Sequence, residues 1–256
     1  MQLSEAQILD MVARFLWPFL RIGALFVAMP ILSSHNVPMR VRTLLAAAVT
    51  VVIAPNLPAP PAVEIFSLAG FVVGIMQVLV GALMGFVVHL IFAATVFGGQ
   101  SIAYNMGLGF ASMVDPQTGV SVPVIAQIYL MLSTLLFLGM DGHLLLIQLV
   151  SESFRAVPVD MMGPGTARLW TACQWSSRLF AAGLLLSLPV VTALLLVNLG
   201  FGVAGRAAPQ LNIFSVGFPI TLLLGLLLIW IGLPGAMELF TQFTEEGYQL
   251  LRDMFR

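Results

Sequence analysis

Charged side chains are scarce in this sequence. They make up 8% of its 256 residues, whereas soluble domains carry roughly 25%, and 60% of the residues are hydrophobic. Because so few charges cannot cover a water-facing surface, the composition argues against a soluble enzyme and predicts a membrane protein. The net charge of −1 and the absence of lysine offer no basic face for nucleic acid, so no nucleic-acid partner is predicted.

Cysteines and spaced metal ligands are also missing. Cys173 is the only cysteine, which excludes a disulfide within the chain, and we expect it to be a small apolar filler. His35, His89 and His143 lie far apart in the sequence, and none has a partner at the spacing of a helical metal motif. The sequence therefore predicts no metal, no cofactor and no catalytic residue.

One motif, GFGVAG at residues 200–205, fits the glycine pattern of a dinucleotide site by its letters alone. That pattern requires a strand before it, a helix after it and an acidic residue about 20 positions later. Here an apolar helical run precedes the motif, Pro209 follows it, and residues 223–230 read LLGLLLIW. We interpret these glycines as packing positions or as a break between two helices.

Apolar stretches dominate what is present. Because lipid offers no hydrogen-bond partners, every backbone group must be satisfied within its own segment, and these stretches therefore predict an all-α protein of apolar, membrane-associated helices. A simple span needs about 20 residues, yet the second stretch is shorter and the third is much longer, so we expect that some helices do not cross as plain spans. The six stretches lie at roughly 15–32, 43–57, 66–97, 123–149, 179–199 and 211–235.

Four glycines form a stripe along the third stretch, and a glutamine lies beside them. On a helical wheel they fall within roughly 60° of one another, and two of the spacings are GxxxG, which lets another helix approach closely. We therefore predict a helix-packing face, here called the glycine face, whose partner is either this chain or another. Gly98 and Gly99 further along predict a break or hinge. The glycine face consists of Gly70, Gly74, Gln77, Gly81 and Gly85.

Isolated polar residues in the apolar stretches are candidates for a buried site. Arg21 is expected to snorkel to the surface or to pair with an acidic group of a neighbouring helix. His89 is expected to be a hydrogen-bonded core residue. The sequence Asp141-Gly142-His143 predicts a hairpin turn between two apolar helices, and the alternative is a proton-relay pair of a transporter.

A charge-free region ends at a strong turn signal. Residues 65–114 contain no Asp, Glu, Lys or Arg, which argues against an ion-coupling site in this half of the chain. The turn DPQTG at residues 115–119 follows, with proline and glycine where a turn favours them. Glycine, methionine and phenylalanine surround it and give a loop room to move and soft apolar contacts. We predict that apolar, glycine-rich helices hold up this loop.

Three blocks of the sequence resemble a known family. The first, residues 99–154, reads GQSIAYNMGLGFASMVDPQTGVSVPVIAQIYLMLSTLLFLGMDGHLLLIQLVSESF. The second, residues 209–235, reads PQLNIFSVGFPITLLLGLLLIWIGLPG, and the third, residues 21–42, reads RIGALFVAMPILSSHNVPMRVR. Together they resemble the FliR family of flagellar biosynthetic proteins, whose relatives in injectisomes are called SctT.

The resemblance implies a core subunit of the flagellar type III secretion export gate in the bacterial inner membrane, at the flagellar basal body. It implies a FliP-like part at 1–175 and a FliQ-like part at 176–256, within a helical, cone-like hetero-oligomer. One copy of this chain would assemble with several FliP-like and FliQ-like subunits and meet FlhB-like and FlhA-like export components. Unfolded secreted proteins and membrane lipid are its other implied partners, and no enzyme activity is implied.

The resemblance further implies that a loop of this chain plugs the export pore. Asp115 and Pro116 would hold the bend of this plug, while the apolar members seal it against apolar walls. The predicted plug residues are Met106, Gly107, Leu108, Gly109, Phe110, Met113, Val114, Asp115 and Pro116.

The alternative function is a polytopic secondary transporter of a small solute. Such a protein needs buried charge along its path. Arg21, Asp141 and Arg178 are the charged residues that would serve on this interpretation.

Overall fold

The computed structural model describes residues 5–33, 37–59, 63–108, 112–114, 121–207 and 213–255. Within these ranges the chain consists almost entirely of α-helices, and the all-α class predicted from the sequence is confirmed. A short 3-10 turn at Ala54–Asn56 follows the third helix. The helices are α1 (Glu5–Ala28), α2 (Pro30–Ser33), α3 (Met39–Ile53), α4 (Leu68–Asn105), α5 (Val124–Gly139), α6 (Gly142–Ala156), α7 (Gly165–Trp175), α8 (Ser177–Ala207) and α9 (Ile213–Met254).

Helices of this length and apolarity make the chain a membrane protein. In the described part of the chain five helical segments are long and apolar enough to cross a bilayer, and the bent pair α5–α6 gives a sixth if it counts as one span. Each of the six apolar stretches predicted from the sequence contributes to one of them. The five segments are Leu9–Ala28, Met39–Asn56, Leu68–Asn105, Gly165–Arg206 and Gly217–Met254.

Local sequence sets both ends of α4. The Ser67 hydroxyl oxygen accepts a hydrogen bond from the Gly70 N–H at 3.1 Å and so caps the first turn. The 38 residues of the helix contain neither a charge nor a proline that would interrupt it. At the other end Gly107 adopts φ 78°, a left-handed conformation that glycine takes without strain, and the helix stops.

The break predicted at Gly98–Gly99 is wrong, because α4 runs through both glycines. These glycines do not bend α4; they allow neighbouring helices to approach its backbone closely. A Cβ on Gly98 would lie 2.9 Å from the Gly183 carbonyl oxygen of α8, and one on Gly99 would lie 2.6 Å from the Ala126 Cα of α5. These two positions therefore let three helices meet backbone to backbone.

A short antiparallel hairpin interrupts the helices. Its strands are β1 (Ser112–Val114) and β2 (Ser121–Pro123), with Met113 opposite Val122 and Val114 opposite Ser121. Their connection, residues 115–120, lies outside the described residues. Strands of three residues are too short to give a sequence pattern, and the hairpin was not predicted.

The turn predicted at Asp141-Gly142 is present, but it is not a hairpin turn. The axes of α5 and α6 differ by 65°, so the chain bends without reversing. Asp141 sits at the bend with φ 56°, and among the described residues other than glycine it alone has a positive φ. The Tyr248 hydroxyl donates a hydrogen bond of 2.7 Å to the Gly142 carbonyl, which ties the start of α6 to α9.

The chain divides into two compact units, each made of several segments. The first consists of Met1–Leu90, Met140–Ser176 and Glu246–Arg256. In its core Trp17 packs with Ala13 and Val73, surrounded by partly buried apolar side chains.

The second unit consists of Ile91–Gly139 and Ser177–Glu245. In its core the Phe92 ring packs edge-on against Phe137 and Phe240, with centroids 5.3 and 5.6 Å away. A buried apolar cluster containing Ile102, Met106 and Tyr129 adjoins residues of α8 and α9.

Asp141 provides a test of the bend. Its side chain makes no capping hydrogen bond, while its left-handed backbone costs a non-glycine residue about 1–2 kcal/mol. We expect Asp141→Gly to preserve or raise the free energy of unfolding, and Asp141→Val to lower it by about 1–2 kcal/mol because a β-branched side chain fits this conformation worst. Thermal unfolding in detergent measures both. Equal stability of the two variants would contradict the left-handed bend.

Candidate functional site: the glycine face and the loop base

The glycine face of α4 packs against α1 within the first unit. A Cβ on Gly81 would lie 2.0 Å from the Arg21 carbonyl oxygen, and one on Gly85 would lie 2.4 Å from the Ala28 Cβ. No side chain larger than hydrogen fits at such distances, so the backbones of α1 and α4 touch here.

The other two glycines of the face, Gly74 and Gly70, differ in how closely their surroundings approach them. A Cβ on Gly74 would meet the Leu20 side chain at an ordinary 3.4 Å. One on Gly70 would lie 2.5 Å from the carbonyl oxygens of Glu64 and Ile65, in the segment that leads into α4. The glycine face therefore meets its own chain at every glycine.

Gln77, the polar member of this face, lies beside a fully buried arginine. Arg21 donates from Nε to the Gln77 Oε1 at 2.9 Å, from Nη1 to the Ser153 Oγ at 3.0 Å and from Nη2 to the Val157 carbonyl at 2.8 Å. A second Nη2 bond also reaches the Gln77 Oε1. The guanidinium carbon lies 3.9 Å from the centre of the Phe154 ring, a cation–π geometry.

The prediction for Arg21 is wrong on both alternatives. The side chain is 0% exposed, so it does not snorkel, and its four hydrogen bonds all go to neutral oxygens. Its partners are an amide, a hydroxyl, a backbone carbonyl and an aromatic face. Sequence reasoning missed this arrangement because each partner is an ordinary polar or aromatic residue without a charge to mark it.

This buried cation network, formed by Arg21, Gln77, Ser153, Phe154 and Val157, joins three parts of the first unit. Arg21 lies on α1, Gln77 on α4, and the remaining partners at the end of α6 and just beyond it. Burying a charge is costly unless its donors are satisfied, so the three parts must keep the positions that satisfy them. The network therefore fixes how α1, α4 and α6 fit together.

The base of the predicted plug loop is held in the second unit. Met106 is fully buried, and a Cβ on Gly225 of α9 would lie 2.7 Å from its side chain. A Cβ on Gly107 would lie 3.1 Å from the Phe218 ring, and Leu108 packs against the same apolar cluster. The point where the loop leaves α4 is thus anchored to α9.

The remaining predicted plug residues are only partly described. Met113 and Val114 lie in β1, of which the backbone alone is described. Gly109, Phe110, Asp115 and Pro116 lie outside the described residues.

Three other candidate residues, His89, Cys173 and Asp141, are exposed and do not form a site. His89 is exposed on α4 and is not a core residue, and Cys173 is exposed and is not an apolar filler. Asp141 is exposed at the α5–α6 bend. Among the described residues, His, Cys, Asp and Glu side chains form no group of three that could hold a metal ion.

Long apolar helices, close glycine contacts and a buried cation network define an all-α polytopic membrane protein. Residues 12–247 match the family described as "Bacterial export proteins, family 1", and the chain belongs to that family. The resemblance to FliR proteins found in the sequence is confirmed by this match together with the relatives described next.

Similar proteins cover nearly the whole chain. The "Flagellar biosynthetic protein FliR" of Escherichia coli (strain K12) is 38% identical over 254 residues, 99% of this chain and 97% of the relative. The protein of the same name from Pectobacterium carotovorum subsp. carotovorum is 37% identical over 95% of this chain and 93% of its own. That from Bacillus subtilis (strain 168) is 32% identical over 87% and 86%.

Gly81 provides the test of the close helix contact. We expect Gly81→Ala to lower the free energy of unfolding by about 3 kcal/mol, because the new methyl group forces α1 away from α4. Gly23→Ala on α1 is the matched control, since nothing lies within 4 Å of its Cβ position. The control should change stability by less than about 1 kcal/mol, in the stabilising direction. Similar losses in both variants would contradict the contact.

Gln77 provides the test of the buried cation network. Gln77→Leu removes the acceptor of two Arg21 hydrogen bonds and leaves a buried cation short of partners, so we expect a loss of about 3 kcal/mol. Adding Arg21→Met removes that cation, and the double variant should be more stable than Gln77→Leu alone. A double-mutant cycle of unfolding in detergent measures the coupling. A coupling energy of zero would contradict the network.

Proposed function

We propose that this chain is a core subunit of the flagellar type III secretion export gate in the bacterial inner membrane. The observation that carries the proposal is the family match over residues 12–247, together with relatives named flagellar biosynthetic protein FliR over almost the full length. The apolar helices support a place in the membrane. The chain acts as part of a conduit for unfolded flagellar proteins and performs no catalysis itself.

In this proposal one copy of the chain assembles with several FliP-like and FliQ-like subunits. Residues 1–175 form the FliP-like part and residues 176–256 the FliQ-like part, and FlhB-like and FlhA-like components complete the export apparatus. Many large apolar side chains on α4, α8 and α9 are exposed in the isolated chain, for example Phe71, Leu196 and Trp230. Such surfaces support contact with neighbouring subunits or lipid.

The loop between α4 and α5 plugs the channel in this proposal. Two observations support it: Met106 and Leu108 anchor the base of the loop in a packed core, and β1 and β2 give the loop a paired stem. A plug needs such a fixed base so that its tip returns to one position after each passage. The tip, residues 115–120, carries the turn sequence.

The plug works as an apolar, adaptable constriction. Methionine and phenylalanine side chains re-pack around many different chains because their contacts are soft and undirected. An apolar neck also excludes water when closed, which opposes the leakage of ions. Such a gate accepts unfolded chains without a specific binding site and still retains small solutes.

The test shortens the tip while keeping the stem. Residues 115–120 are replaced by Asn-Gly, because Val114 and Ser121 are paired and a two-residue turn joins such a pair. The variant is co-expressed with the FliP-like and FliQ-like subunits, and native mass spectrometry establishes one copy of it in a mixed assembly. We expect the assembled variant to leak small solutes in a membrane permeability assay, because the seal is lost.

The control replaces residues 115–120 by six glycine and serine residues, which keeps the length and removes the turn chemistry. We expect leakage smaller than that of the shortened loop. An assembled complex whose permeability is unchanged by shortening would overturn the plug. A chain that remains a monomer or homodimer beside unbound FliP-like and FliQ-like subunits would overturn the export-gate assignment.

A further inference from the structure

The last two turns of α4 carry a group of uncharged polar side chains. Four of the six residues 100–105 are polar, whereas residues 90–99 contain only one hydroxyl side chain, the buried Thr95. These four residues belong neither to the glycine face nor to the predicted plug. They are Gln100, Ser101, Tyr104 and Asn105.

The four polar residues lie on the accessible side of α4. At about 100° per residue they fall within roughly 140° of one another on a helical wheel. Tyr104 is 59% exposed and the other three are partly buried, whereas Ile102 and Ala103 on the opposite side are 0% exposed. Because hydrocarbon offers amide and hydroxyl groups no hydrogen-bond partners, this side of α4 suits water or a polypeptide better than lipid chains.

Asn198 of α8 extends this polar side within the second unit. Its Nδ2 donates a hydrogen bond of 3.5 Å to the Asn105 carbonyl, so this exposed amide lies beside the end of α4. Gly202, about one helical turn further along α8, has nothing within 4 Å of its Cβ position, which leaves open space next to Asn198. The polar face, as we call it here, consists of Gln100, Ser101, Tyr104, Asn105 and Asn198.

The polar face offers both donors and acceptors. The Ser101 hydroxyl donates to the Phe97 carbonyl at 2.9 Å, and its oxygen can still accept a hydrogen bond. Asn105 donates one N–H to the Ser101 carbonyl at 2.8 Å, which leaves its amide oxygen and its second N–H. The bonds within α4 therefore use only part of the hydrogen-bonding capacity of this face.

The polar face ends where the loop leaves α4. Met106 follows Asn105 directly and is 0% exposed, with its side chain 2.7 Å from the Cβ position of Gly225 on α9. Gly107 then ends the helix with φ 78°. The polar face and the base of the loop are thus within one helical turn of each other along the chain.

We propose that the polar face binds the main chain of an unfolded polypeptide when the loop has moved aside. This inference rests on the proposed function and adds to it the surface that the exported chain contacts. An extended chain presents N–H and C=O groups whatever its sequence, and amide and hydroxyl side chains pair with both. Because the polar face carries no charge, it holds acidic and basic chains alike.

Photocrosslinking tests the contact in the complete assembly. The photoreactive residue p-benzoylphenylalanine replaces Tyr104, and the chain is co-expressed with the FliP-like and FliQ-like subunits. An exported protein fused to a stably folded domain is then stalled in the complex, and native mass spectrometry establishes its presence. We expect the residue at position 104 to crosslink to the stalled chain.

The matched control places the same photoreactive residue at Leu135 of α5, which is 65% exposed and lies outside the polar face. We expect this position to crosslink to lipid or to a neighbouring subunit and not to the stalled chain. Crosslinks from position 104 to lipid or to a subunit alone would overturn the proposal.

The export rate provides a second readout. Replacing Gln100 and Tyr104 together by leucine removes two hydrogen-bonding side chains, and we expect export to become about tenfold slower. Tyr104→Gln keeps the capacity to donate and accept, so its export rate should stay within about twofold of the parent. Gln242→Leu, the same kind of change at an exposed position of α9, is the matched control and should leave the rate unchanged.

The outcomes separate this proposal from the export-gate assignment. An assembled Gln100→Leu, Tyr104→Leu variant that exports at the parent rate would overturn the polar face and leave the gate intact. If this variant alone failed to assemble, the polar face would be a subunit contact, which would also overturn the proposal. A parent chain that neither assembles nor holds a stalled polypeptide would overturn the proposed function itself.

Discussion

A buried cation organises the first unit of this protein. Arg21 lies in an apolar surrounding and is neutralised by no carboxylate at ion-pair distance among the described residues, so its stability there depends on four hydrogen bonds and one aromatic face. Losing one of these partners exposes the whole cost of burying the charge. The helices that supply them are therefore held in one arrangement, more strictly than apolar packing alone would hold them.

Glycines also hold the helices together, because they allow the backbones of neighbouring helices to touch. In the first unit the glycine face brings α4 against α1 and places Gln77 where it reaches Arg21. In the second unit Gly98 and Gly99 bring α4 against α8 and α5. In lipid, apolar side chains gain little by leaving their surroundings, so close contact of this kind is a main source of helix association.

The sequence predicted the features that depend on composition and local pattern. Six apolar stretches, an all-α fold and a turn at Asp141 follow from hydrophobicity and turn residues, and the structure contains them. The buried cation network could not be predicted, because the Arg21 partners lie 56 to 136 residues away along the chain. Gly98 and Gly99 were mistaken for a break since a local pattern cannot distinguish a flexible joint from a contact with a distant helix.

The junction between the hairpin and α5 has a mechanical consequence. β2 ends at Pro123 and α5 begins at Val124, so no linker separates the strand from the helix. The proline ring also restricts rotation of the backbone at this junction. A displacement of the hairpin is therefore transmitted to the first turn of α5. In this turn Ala126 contacts the backbone of Gly99. The tilt of α5 and the position of the hairpin therefore depend on each other within the second unit.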